Sequence, residues 1–214
     1  MANDKDPRYA RTEAAIRSAF LELVHNAPVT SVTASSVCRQ AGISRNAFYL
    51  HHSGVAALYV AMVDELLADV RGACLSFAEK VSASGNNDEG FIPLVLSALV
   101  RHEGLLRALL PSDDGAIAKR LADGMADAYV EASLVLSDQG NSLENRLRCT
   151  FSAWALMGFM QRWLSLTDRP IQEMLPYLSE FHAGVLAEAM HYLTGGDNPK
   201  TGSNQRMLPI HKAR

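Results

Sequence analysis

Cysteine is scarce in this chain. The three thiols, Cys38, Cys74 and Cys149, stand far apart and inside helical patterns. They form neither a disulfide framework nor a CxxC metal knuckle, so they read as reduced, packed side chains. Long apolar runs are missing as well. FIPLVLSALV contains Pro93 and stops at Arg101, well short of the roughly 20 residues that span a bilayer. The polar, acid-bearing start MANDKDPRYARTE is unlike a signal peptide, and the expectation is a cytoplasmic protein without a membrane partner. Strand signals are almost absent: alternation is never sustained, and no Asn-Gly or Asp-Gly pair separates two alternating runs. Nor is there a Gly-rich phosphate loop, a nucleophile elbow, an HExxH or a convincing acidic pair. These absences point away from an enzyme and from any metal or cofactor.

What is present is helical periodicity. With 48% hydrophobic residues the 214-residue chain can fill a sizeable core, and its apolar positions recur every three and four residues. The spacing predicts a first helix over about 11–25, with Ile16, Phe20, Leu23 and Val24 on one face, broken at Pro28. A short second helix capped by Thr33 ends near Ala41, and a third runs from Ser44 to about Leu50. Ser53 and Gly54 open a long fourth helix to about Lys80, with Leu58, Met62, Leu66, Val70 and Phe77 as its stripe. SASGNNDEG is a loop. Beyond it come FIPLVLSALVRHEGLLRALL, interrupted at Gly104, a helix over about 113–136, and two strong helices over about 141–166 and 170–193. Residues 194–214 offer little to bury and read as a mobile tail.

Charge divides the chain in the same way. Through Ser53 there are six basic and four acidic residues, a local +2, which leaves −5 on the rest of a chain whose net charge is −3. A mildly basic head on an acidic body suits a small module that approaches phosphate and a larger one that does not.

Two short helices joined by AGIS have the shape of a helix-turn-helix over about 32–51. Val37, Ile43 and Phe48 are placed to lock them together, Cys38 is small where they cross, and Gly42 permits a turn with positive φ. That leaves Arg45, Asn46 and Tyr49 on the open side. Arginine forks onto guanine, asparagine onto adenine, and tyrosine reaches backbone oxygen or a thymine methyl. Short helical hairpins also serve as plain packing units, so the shape alone leaves both uses open. The adjacent His51 and His52 point about 100° apart on a helix and have no Cys or acidic partner at i+3 or i+4, which argues against a metal site.

The stretch RTEAAIRSAFLELVHNAPVTSVTASSVCRQAGISRNAFYLHH resembles the DNA-binding head of the TetR family of bacterial transcriptional repressors. The match covers about residues 8–69; RHEGLLRALL and SAWALMGFMQRWLSLTDRPIQEMLPYL resemble the body of a branch of that family less specifically. The resemblance implies an all-α, TetR-like subunit: a head at 8–69 that binds double-stranded operator DNA, and an effector-binding and dimerisation domain at 70–193. It implies DNA-contact roles for Thr33, Ser44, Arg45, Asn46, Tyr49 and His51, with phosphate received at Ser53 and Gly54, where the fourth helix begins. Two positions depart from the family pattern: Ala47 stands where Thr is usual and Val55 where Lys is usual, both phosphate contacts in the family. An effector-binding or protein-binding relative with weak or lost DNA binding is therefore the rival reading.

The expected mechanism is a homodimeric repressor of a palindromic operator, released by a small, largely apolar effector. Its lining is expected among Met62, Leu66, His102, Leu106, Met125, Tyr129, Trp154 and Met157. FSAWALMGFMQRWL is apolar on more than one face, so pairing is expected through the last two long helices, with small residues Ala153, Gly158, Ala183, Gly184 and Ala187 allowing close approach.

Overall fold

Capping residues and glycines punctuate the chain where the sequence places them. The computed structural model describes residues 7–85, 90–111 and 115–178, and over these the fold is all-α, with no strand. Helix α1 spans Pro7–Asn26, α2 Ala34–Ala41 and α3 Arg45–His51. Thr33 caps α2 through a capping box with Ser36, and the Ser44 hydroxyl accepts the Ala47 N–H at the start of α3. Gly42 turns the chain between them at φ 67°, a left-handed conformation that favours glycine. Val37 and Phe48 are completely buried and Ile43 packs against them, so the three helices share one small core with Ile16, Phe20 and Val24 of α1.

Helix α4, Val55–Ser84, continues from this head into the body. It runs about one turn further than the periodicity predicts and ends at Gly85, φ 66°. The apolar stretch after the loop forms two helices, α5 (Phe91–Val100) and α6 (Glu103–Leu109). Pro93 lies in the first turn of α5, where its missing N–H breaks no bond. The break between α5 and α6 falls at Arg101 and His102 rather than at Gly104. Both side chains leave the helix line to meet Asp69 on α4, and the His102 carbonyl accepts the first hydrogen bond of α6. Gly104 sits inside α6 facing Leu21 of α1.

Helix α7 (Ala116–Leu136) packs along both α4 and α8 (Leu143–Leu166) and forms the centre of the body. Arg71–Glu131 and Arg120–Asp64 pairs tie α4 to α7 at the surface. After α8, Ile171–Met174 is a 3-10 turn leading into 175–178. The second half of the expected 170–193 helix, with Ala183, Gly184 and Ala187, and the tail at 194–214 lie outside the described residues.

Candidate nucleic-acid interface

The two-turn helix α3 owes its orientation to one face and presents the other. Phe48 is its only fully buried side chain, and the Cys38 thiol reaches toward the Ser44 carbonyl where α2 crosses. Arg45, Asn46, Tyr49 and Leu50 are exposed, Leu50 to 74%. Arg45 and Asn46 make no side-chain hydrogen bond or ion pair among the described residues. Fork-shaped and amide donors held on a rigid helix without an internal partner are available to an external one. Thr33 and Ser44 are exposed at the two helix starts, and their hydroxyls are engaged as caps. Ser53 is exposed and Gly54 half-buried at the start of α4, whose first N–H groups no side chain caps. Ala47 and Val55 are half-buried, Val55 against the core.

His51 lies elsewhere. Its side chain is only 4% exposed and its Nδ1 is 3.0 Å from Glu13 Oε2. The Tyr9 ring stacks on it at 3.8 Å between centroids. The side chain thus faces α1, and the expectation of a phosphate contact there is corrected: an imidazole enclosed by a carboxylate and a ring offers no open face to DNA. His52 Nε2 sits 3.1 and 3.0 Å from the two Glu13 oxygens. An acidic partner thus exists for both histidines, 38 and 39 positions away rather than one helical turn. Among the described residues no group of three or more His, Cys, Asp or Glu is placed to hold a metal ion.

Glu13 carries the local electrostatics. Burial pushes its carboxyl up, but the hydrogen bond from Arg17 and the adjacent His52 outweigh this and hold it below the ordinary glutamate range. Arg17 also reaches Glu65 on α4. Sequence reading passes over Glu13 and weighs His52 only as a metal ligand, although the Glu13–Arg17 spacing of i, i+4 is visible in the sequence.

Among the described residues, the eight residues expected to line an effector pocket stand in different surroundings. Met62, Met125 and Met157 are packed into the core. Leu66 and Leu106 border one apolar void between α4, α6 and α7, and Tyr129 borders another with Phe91, Val95, Ser152 and Leu156. The void at Tyr129 offers about 10 Å³, the room of a single water. His102 is held by Asp69 at 2.9 Å on the α5–α6 turn, and Trp154 is 41% exposed on the outer face of α8. Helical spacing places residues on a face but does not distinguish a core from a cavity wall. A more open cleft, about 440 Å³, lies where the head meets the body, between Leu21, Glu22 and His25 of α1, Gln40, and Arg107 of α6.

Helix α8 is apolar beyond what α7 covers. Leu143, Leu147, Phe151, Trp154 and Leu166 are all exposed, and a Cβ added at Gly158 on the same side would meet nothing within 4 Å. Ala153 faces the other way and is fully buried in the subunit's own core, so it is not free to line a contact with a second chain.

No helix among the described residues is long and apolar enough to cross a membrane. No protein-family model and no curated protein matches the chain. Among solved structures it is similar to the TetR family repressor AlkX from Dietzia sp. strain DQ12-45-1b, implicated in biodegradation of n-alkanes, with 17% identity over 83% of this chain and 97% of that one, at a TM-score of 0.45.

Proposed function

We propose that this protein is a DNA-binding transcriptional regulator of the TetR type, a non-enzymatic repressor that binds a palindromic operator as a homodimer. One observation carries the reading: Arg45, Asn46 and Tyr49 stand exposed on a capped helix whose opposite face is locked by Phe48. Such a helix fits the major groove with its N-terminal residues toward base edges. The uncapped start of α4 at Gly54 is suited to an adjacent phosphate without a lysine. The working division is a DNA-binding module at 8–69 and a dimerisation and effector domain beyond it.

The exposed apolar face of α8 supports the dimer, because Leu143, Leu147, Phe151 and Leu166 would otherwise stay in water. Two heads related by a two-fold axis would reach successive major grooves about 34–36 Å apart. Release by a small, largely apolar molecule is the proposed control. Its entry would widen the narrow void that Val63 and Leu66 line on α4, the element shared by head and body. A coupling of about 1–3 kcal/mol would lower operator affinity roughly 5- to 150-fold.

The rival reading, a relative with this fold that binds effector or protein but little DNA, draws on Ala47 and Val55, neither of which offers a polar group to phosphate. A gel shift with the DNA flanking the gene decides between them. A discrete complex with a palindrome there supports the repressor. Binding that is absent at low salt excludes it.

A further inference from the structure

Helix α3 is seven residues long, too short to be stable alone, and Phe48 is its one buried apolar residue. Its C-terminal end is held by something else. His51 and the following His52 both turn back to one carboxylate on α1, with three nitrogen–oxygen separations of 3.0 to 3.1 Å. Glu13 is only 20% exposed, and the two imidazoles are 4% and 9% exposed, so these contacts are shielded from water in a way that surface ion pairs are not. The groups facing the cluster come from three helices: Tyr9 and Arg17 from α1, the imidazoles from the end of α3, and Glu65 from α4, which pairs with Arg17. With neutral imidazoles the charged members are Glu13, Arg17 and Glu65, a net −1.

We propose that Glu13 is a positioning residue for DNA recognition: its carboxylate holds α3 by His51 and His52 and, through Arg17, joins α1 to Glu65 on α4. The three helices then carry Arg45, Asn46 and Tyr49 as one unit. This rests on the reading of α3 as the DNA-binding element. Glu13 itself touches no DNA. It acts by keeping the last turn of α3 closed against α1 through hydrogen bonds to a charged acceptor, which are roughly twice as strong as neutral ones.

The test compares the full-length wild type with Glu13→Gln, which keeps the size and one acceptor but not the charge. Amide exchange over 48–52 is expected to accelerate roughly tenfold in the variant, the scale of one such hydrogen bond, while α2 and the body stay unchanged. Operator affinity should weaken by a similar factor. If Glu13→Gln fails to fold, the His51→Gln/His52→Gln variant, which retains Glu13 and Arg17, takes its place with the same expected effects. A variant-to-wild-type exchange ratio near one overturns the proposal, as does acceleration spread evenly over the head. A wild type that binds no DNA overturns the recognition half and the proposed function with it, while the exchange result still decides whether Glu13 holds α3.

Discussion

Glu13 accepts a hydrogen bond from Arg17 Nε at 2.7 Å while it holds both imidazoles at the end of α3. One side chain in the second turn of α1 thereby joins the two ends of the head. The same carboxylate also predicts how stability responds to acid. A folded pKa below the unfolded value, about 4.3 for glutamate, means a contribution that is complete above that value and lost as pH falls through the folded one. Denaturant melts of wild type and Glu13→Gln should differ at pH 7 and converge in that acid window. A gap of constant size down to pH 3 would exclude the depressed carboxyl as its source.

Arg45→Ala and Tyr49→Ala should leave thermal stability nearly unchanged, because both side chains are exposed and Arg45 has no hydrogen-bond or ion-pair partner among the described residues. In DNA titrations a base-reading Arg45 costs about 1–3 kcal/mol and relaxes preference at one base pair. A phosphate-contacting Arg45 weakens all sequences alike and lowers the salt slope by about one. Full affinity in both variants would place the DNA on another face.

Phe48→Ala removes the fully buried ring that locks α3 to α2 and α1 and should cost about 3–5 kcal/mol. Leu50→Ala, on the exposed side of the same helix, should lie within about 0.5 kcal/mol of wild type. Chemical denaturation of the two side by side measures the contrast, and equal losses would mean that α3 is packed differently.

Phe151→Glu should break the dimer without unfolding the subunit, because Phe151 is 60% exposed on the apolar face of α8. Sedimentation at micromolar concentration reads the outcome. A wild type that sediments as a monomer, or a variant that remains a dimer, would remove α8 from the interface.

Gly140→Ala is expected to be among the most disruptive single-methyl additions in the body. Its Cβ would lie 2.6 Å from the Leu134 nitrogen and the Ser133 carbonyl carbon, both backbone atoms at the end of α7 that cannot swing aside. Its carbonyl also accepts the Asn145 side-chain N–H at 2.7 Å. A loss of about 1–3 kcal/mol is expected, and a thermal melt superimposable on wild type would contradict it.

Local chemistry made the head legible from the sequence. Thr33 and Ser44 cap because a hydroxyl at that position meets an N–H three residues on, Gly42 turns because it lacks a Cβ, and Val37 and Phe48 are buried because their spacing puts them on one side. The exposure of Arg45, Asn46 and Tyr49 follows from the same periodicity. Each of these is decided within one helical turn or across one short loop. The partners of His51 and His52 are not, since Glu13 lies 38 and 39 positions away, and only the crossing of α1 and α3 brings them together. Tertiary structure alone likewise decided that the α5–α6 break falls where Arg101 and His102 turn to Asp69, and that Met62, Met125 and Met157 pack as core while Trp154 faces outward. A period of 3.6 residues specifies a face, but what that face meets depends on the helix laid across it.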